Sequence, residues 1–538
     1  MSPSSQCTPE EEYELSRSST YTSDGPESPL LAHDLTDRDD LHSASPRGLR
    51  PRTSPKVALA SRIATVAPAW LRQRYRRPTT RCCLCCCIRL PRSHIRRFLC
   101  LLYVFFTSIL FVVIVGGVFF PGYTHLPPHY KELRQRVLAS GEEGRANQNN
   151  QKVFIAASIY DKDGKLSSGQ WAENVLELIN LLGPKNAFLS IYVNDSGPEA
   201  KSALEGLQQR VPCEHALVFE DHIHFDELPH VTLPDGSQRV KRIEYLAAVR
   251  NRALKPLENS TTIFDKLLYL NDVLFHPLDA AQLLFSTHTV EAGRTDYRAA
   301  CAVDFINPFK FYDTFATRDL EGYGMGLPFF PWFSANGDEQ SHQDVLDGKD
   351  AVRVKSCWGG MVAFDAHFFQ SRRERREDLI TAGNQSPSNL TAPYRFRAEQ
   401  ELFWDASECC LIHADIQNPE PGNTGIYMNP FVRVAYDAKT LSWLRFTRRF
   451  ERLYTPIHFL LDIITNTPEY NPRRDHYAWQ EVIETVWVPD KASQDGGSFQ
   501  QVARIANHTG FCGRHRLSVM KEDITEGDRN WEHIPVPS

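Results

Sequence analysis

Residues 98–120 run for 23 positions without a charge. At about 1.5 Å of rise per residue, a helix of that length covers roughly 35 Å, enough to cross a hydrocarbon core of about 30 Å. The run is longer than the apolar part of a signal peptide and lies too far from the N-terminus to be one. Beyond it the apolar segments are short and punctuated. Residues 152–160 fit a buried central strand. Val175, Leu178, Ile179 and Leu182 recur at helical spacing and stop at Gly183-Pro184, which predicts a helix over 171–182. A strand over 188–193, a helix over 200–208 and a strand over 216–219 follow. A helix over 243–257 leads directly into the apolar run Lys266-Leu267-Leu268-Tyr269-Leu270. Further strands are predicted over 298–303, 352–357, 360–364 and 411–415, with a helix over 399–408. An amphipathic stretch over 441–461 is interrupted by Pro456. Strands alternating with helices predict an α/β fold with a Rossmann-type sheet flanked by helices.

Charge orients this arrangement. The net charge of −6 gives no global basic field, so nucleic acid is not an expected partner. Between Arg47 and Arg97 there is no Asp or Glu but many Arg, whereas on the other side of the apolar run the first Lys or Arg is Lys131. By the positive-inside rule the N-terminus is cytosolic and residues 121–538 are luminal, a type II signal-anchor layout. The expected organisation is a disordered basic cytosolic tail (1–97), an anchor (98–120), a polar stem (121–150), a luminal domain (151–515) and a C-terminal tail (516–538). Cys82, Cys83, Cys85, Cys86 and Cys87 sit just before the anchor, where acylation is the expected use, with inert thiols or a metal cluster as alternatives. Cys213, Cys301, Cys357, Cys409, Cys410 and Cys512 are luminal on this layout, allowing up to three disulfides in any pairing. Sequons stand at Asn194, Asn259, Asn384, Asn389 and Asn507.

The chemistry concentrates at strand ends. The strand ending at Leu270 gives way abruptly to Asn271-Asp272, and ligands of α/β sheets bind at such C-terminal ends. One carboxylate there can hold Mn²⁺ or Mg²⁺ against a diphosphate; an ordinary Asn-Asp turn has the same sequence. Arg250-Asn251, on the preceding helix, can reach that diphosphate. Asp304, placed at a strand end, is a candidate to act at the reacting sugar. Asp313 and Asp319 can contact acceptor hydroxyls, or serve as a helix cap and a surface ion pair. Trp358 before Gly359-Gly360 offers a ring for a sugar face, or packs in the core beside a turn. Glu401, Asp405 and Glu408 share one face if their segment is helical, and Glu408 is the second catalytic candidate. His413, on a predicted strand, can complete a metal shell or be structural.

Taken in order, these segments resemble the fungal cryptococcal-type α-1,3-mannosyltransferases, glycosyltransferase family 69. The matching stretches are 242–257, 267–273, 297–305, 311–319, 356–360, 396–415, 429–436 and Phe511-Cys512-Gly513. The resemblance implies a GT-A-like luminal domain in a Golgi-type membrane, a GDP-mannose donor, a divalent cation, and α-1,3 transfer with retention to a mannoside or polysaccharide acceptor. The Asn271-Asp272 pair stands where many metal-dependent transferases carry Asp-x-Asp. Another nucleotide sugar, or a non-catalytic scaffold or lectin in polysaccharide synthesis or export, is the alternative reading.

Overall fold

The computed structural model describes residues 92–537, except 291–292, 371–391, 419–421, 469, 491, 494–495 and 523–529. Residues 1–91, most of the segment read as a cytosolic tail and including its cysteine cluster, and the sequons at Asn384 and Asn389 lie outside the described residues.

A helix, α1 (Arg92–Phe119), covers most of the apolar run, and its residues 96–119 are long and apolar enough to cross a membrane. The helix divides between two compact units at Val112; residues 113 onward belong with the rest of the chain. Within that larger unit, α2 (Pro128–Ala139) lies in the segment read as a stem. Tyr130 and Leu133 of this helix are nonetheless buried.

The core is a nine-stranded mixed sheet. Its strands are β1 (Val153–Ile159), β2 (Ala187–Asn194), β3 (Glu214–Glu220), β4 (Lys266–Leu270), β5 (Ala299–Asn307), β6 (Lys310–Phe311), β7 (Val352–Arg353), β8 (Met361–Asp365) and β9 (Ile426–Ala435). They lie in the order β3-β2-β1-β4-β8-β5-β9-β7, with β6 on β5. β1, β2, β3 and β4 are parallel, as the α/β alternation predicts, and β5 runs parallel to β9. β8 is antiparallel to both β4 and β5 and so splits the sheet into two parallel blocks that point the same way. β1 and β4 are buried at every position, which explains why they read as unbroken apolar runs. The sheet is flanked by α3 (Gln170–Leu182), α4 (Pro198–Gln208), α5 (Arg242–Leu254) and α6 (Pro277–Ser286). α3 stops where Gly183 adopts φ +87° ahead of Pro184.

Several predicted boundaries move for identifiable reasons. The helix over 243–257 ends at Leu254, because Pro256 opens a new turn. The strand over 352–357 is only Val352–Arg353. Residues 399–408 are not a helix: Phe403 takes φ +59° and Trp404–Ala406 pairs as a strand with Gly513–His515. The helix begins instead at α7 (Glu408–Ile416), capped by Ser407, whose hydroxyl accepts from the Cys409 amide. Residues 411–415 are therefore helical, not a strand. The stretch around Pro456 resolves into α8 (Ala438–Thr447), a 3₁₀ segment (Arg448–Tyr454) and α9 (Thr455–Thr465), with Pro456 in the first turn of α9.

Among the described residues two disulfides form, Cys301–Cys357 and Cys410–Cys512, and Cys100, Cys213 and Cys409 are free thiols. The first ties β5 to the turn entering β8. In that turn Gly359 has φ +58°, and a Cβ there would stand 2.0 Å from the carbonyl oxygen of Ala302. Gly359→Ala therefore meets backbone strain and a clash together. It is expected to cost about 3 kcal/mol or more of stability, measurable as a fall in the unfolding midpoint.

Candidate functional site

The C-terminal edge of the sheet gathers the charged groups. β4 delivers Asn271-Asp272, and the turn at Trp358-Gly359-Gly360 enters the neighbouring β8 beside it. The Asn271 amide donates to the Gly360 carbonyl (2.9 Å), and the Asn271 carbonyl accepts from Trp171 Nε1 on α3 (3.0 Å). Asn271 Oδ1 accepts from both Arg250 Nη1 and Trp358 Nε1, each at 3.2 Å. Asn271 is thus a clamp joining helix, strand and turn. Its side-chain oxygen is thereby committed to the fold, where a contact with substrate was expected. Trp358 is 1% exposed, with the Arg250 guanidinium 4.3 Å above its ring. The ring is a platform for arginine and presents no exposed face to a sugar.

Arg250 is completely buried. Its Nε donates to Glu408 Oε1 at 2.9 Å, while its Nη2 has no hydrogen-bond partner among the described residues. Glu408, also fully buried, is seated by α7 against this arginine, which places it behind the site as the group that holds Arg250. Asp272 lies at the edge itself, 7% exposed, and its Oδ1 is buried with no hydrogen-bond partner among the described residues. Burial raises its pKa to about 7, with Arg250 pulling it down and Asp161 pushing it up. A buried carboxylate oxygen left over by the protein, on a group costly to charge when empty, is the environment that suits a cation or a proton.

Asp304 is brought to the same edge by pairing that no local pattern reveals. Leu274, two residues past Asp272, exchanges hydrogen bonds with Ala435 at the end of β9 (2.7 and 3.1 Å). The next residue, Tyr436, donates its hydroxyl to Asp304 Oδ2 at 2.9 Å and interacts electrostatically with Asp272 as well. Asp304 sits inside β5, which continues to Asn307. Burial, and then the neighbouring Asp313, push its pKa well above the carboxylate range. Asp304 Oδ1 accepts from the Asp313 amide (3.1 Å), Asp313 Oδ1 caps the turn by accepting from Ala316, and Asp313 Oδ2 is buried with no hydrogen-bond partner among the described residues.

The β1–β2 half of the edge carries groups that the sequence reading missed. Asp161, just beyond β1, accepts from the Leu166 and Ser167 amides, both at 2.9 Å. Asp195, just beyond β2, holds the Tyr245 hydroxyl and His222 Nδ1. Their only local signal was an aspartate following a strand.

Other predicted site residues are seated elsewhere. Asn251 exchanges both side-chain hydrogen bonds with the backbone of Phe396 (2.8 and 3.0 Å) and so braces that segment instead of contacting substrate. Asp319 accepts from the Glu321, Tyr323 and Asp338 amides and organises a loop, not an acceptor site. Glu401 pairs with Arg473 and Arg504, and Asp405 with Lys241. These acids do not share a face with Glu408. His413 is fully buried: Nδ1 bonds the Cys409 carbonyl (2.6 Å) and Nε2 lies 3.8 Å from Cys301 Sγ, in the disulfide with Cys357. Burial depresses its pKa to about 4. With both nitrogens directed at these neighbours and the cysteines oxidised, His413 is a core residue and not part of a metal shell with Asp272.

Residues 152–415 match the family model described as Cryptococcal mannosyltransferase 1. Residues 152–415 of this chain belong to that family. The matched span contains Asp161, Asp195, Arg250, Asp272, Asp304 and Glu408, while Tyr436 and Cys512 lie outside it. No curated protein sequence matches the chain. Among solved structures, the chain is similar to mannosyltransferase PcManGT from Pyrobaculum calidifontis, in complex with GDP-Man and Mn2+. The identity is 10%, with 68% of this chain and 77% of that one covered, at a TM-score of 0.28. A likeness that weak carries no argument about what this chain binds.

Proposed function

We propose that this chain is a single-pass type II membrane mannosyltransferase that moves mannose from GDP-mannose to a mannoside or polysaccharide acceptor. The domain from residue 151 faces the lumen of the Golgi or another secretory compartment. The observation that carries the reading is the buried, unsatisfied Oδ1 of Asp272 at the C-terminal end of a central strand, within the span that matches a mannosyltransferase family. Transfer in α-1,3 linkage with retention follows from the family resemblance.

Asp272 would hold the cation, Mn²⁺ or Mg²⁺, which supplies charge neutralisation for the leaving diphosphate. Arg250 assists with its unpartnered Nη2, and Glu408 and Trp358 fix its orientation. Asp304 is the proposed catalytic group: its raised pKa suits proton exchange with an acceptor hydroxyl near neutral pH, and the Tyr436 hydroxyl positions it. The nucleoside belongs on the β1–β2 half of the edge, by the general rule for open α/β sheets. The two disulfides support an oxidising compartment.

The test uses the full chain in phosphatidylcholine vesicles with GDP-mannose, Mn²⁺ and an α-mannobiose acceptor. Mannosyl transfer is the expected result; absence of both transfer and donor hydrolysis removes the proposal. Topology has its own test. Asn259 and Asn507 are exposed, whereas Asn194 is buried and its Nδ2 donates to the Tyr245 hydroxyl (2.7 Å). In a secretory host, glycopeptide mass spectrometry is expected to find glycan at Asn259 or Asn507 and none at Asn194. Unmodified asparagines at all five sequons, Asn384 and Asn389 included, contradict the luminal assignment.

A further inference from the structure

The helix α9 (Thr455–Thr465) is inside out. Its polar residues His458 and Asp462 are 1% and 2% exposed at their side chains, paired at 3.0 Å and turned inward, with His458 packed against Phe329. Its apolar residues face outward: Ile457, Phe459, Leu460, Ile463 and Ile464 are each more than half exposed. Ile457, Leu460 and Ile464 fall at i, i+3 and i+7, and Phe459 and Ile463 at i and i+4, so the five form one stripe. Trp443 and Phe446 on α8 are also exposed. Soluble surfaces rarely carry so many large apolar side chains together, and a helix that turns its ion pair inward and its isoleucines outward has an apolar neighbour.

The neighbour is indicated by continuity with the apolar helix. Within the compact unit that starts at Val113, the last turns of α1 pack on the segment joining α8 to α9. A Cβ on Gly116 would meet Leu453 at 2.4 Å, and one on Gly117 would meet Phe450 at 2.2 Å. Arg449 Nη1 donates to the Gly117 carbonyl (3.3 Å), and Arg448 Nη1 to the Tyr123 carbonyl (3.4 Å). The apolar run ends at Phe120, so a bilayer holding it has its boundary at this level of the fold. Lys439, Arg445 and Arg449 are exposed near the same apolar residues, as befits side chains reaching lipid headgroups.

We propose that α8 and α9 form a second membrane contact: the outward face of α9 enters the acyl region of the bilayer that α1 spans, and Trp443 rests at the headgroup level. The catalytic domain is then held against the membrane at two points instead of swinging on a tether. This rests on reading α1 as membrane-spanning.

The full chain is reconstituted in phosphatidylcholine vesicles doped with a phosphatidylcholine that carries a diazirine partway along one acyl chain. After irradiation, lipid-modified peptides are mapped by mass spectrometry. Ile483, 71% exposed on the strand Glu481–Pro489, is the reference for an exposed isoleucine away from lipid. Labelling across residues 457–464 is expected to exceed that at Ile483 by about tenfold, alongside labelling of residues 98–112. Labelling of 98–112 without 457–464 overturns the second contact and leaves the anchor standing. Absence of both overturns the anchor and the second contact together. Protein-to-protein cross-links between copies through residues 457–464, with no lipid attached, overturn the lipid assignment in favour of a second copy of the chain.

Discussion

Asp272→Asn is expected to lower mannosyl transfer by about a thousandfold while the protein still folds, because the carboxylate proposed to hold the cation is lost but the side-chain volume is kept. The substitution also changes stability in a direction that can be fixed beforehand. An unfolded aspartate titrates near 3.8, and burial holds Asp272 at about 7 in the fold. The folded state therefore binds the proton more tightly than the unfolded state. The associated stability is complete below pH about 4 and is lost as pH rises toward 7; Asp304 is shifted in the same direction. Without metal, the wild-type unfolding temperature should fall between about pH 5 and pH 8, and less so in Asp272→Asn. On the proposed assignment Mn²⁺ would bind the charged carboxylate, so it should raise the wild-type unfolding temperature by several degrees near pH 8 and hardly at all near pH 5. Calorimetry with and without Mn²⁺ reads this independently of turnover. An equal Mn²⁺ response in Asp272→Asn would place the metal elsewhere.

The groups that emerge from this site differ in how far the sequence exposed them. β1 and β4 were legible because burial on both faces leaves an unbroken apolar run, and Asn271-Asp272 because a polar pair ends such a run abruptly. Asp304 was legible as an acid after an apolar run, although β5 continues past it. Tyr436 carried no local signal: its place depends on the Leu274–Ala435 pairing, between segments far apart in the chain. Glu401, Asp405 and Glu408 read as one helical face because their spacing fits a helix. In the fold each answers a different distant base: Glu401 answers Arg473, Asp405 answers Lys241 and Glu408 answers Arg250. Trp358 and His413 were ambiguous because an aromatic ring or an imidazole has the same local sequence whether it faces a ligand or the core. Their burial decides it.

Arg250→Ala should be the most damaging change to the fold among the site residues, and its rescue separates structure from function. The guanidinium is fully buried, bonded to Glu408 and Asn271 and stacked over Trp358, so truncation opens a cavity and strips the buried Glu408 carboxylate of its cation. Loss of one partner from such a pair typically costs about 3–5 kcal/mol, enough to threaten folding of a domain this size. Replacing both partners removes the charge imbalance, so Arg250→Met with Glu408→Gln is expected to recover most of the loss in denaturant titrations. If Arg250 only supports the fold, transfer should return with stability. If its unpartnered Nη2 serves the donor diphosphate, the stable double variant should stay at least about a hundredfold below wild type in kcat/KM for GDP-mannose. Glu408→Gln alone distinguishes the two parts played at this pair. A positioning residue loses activity in proportion to how far Arg250 is released, and the pH dependence proposed for Asp304 keeps its midpoint. A shifted midpoint would instead return Glu408 to the reacting atoms.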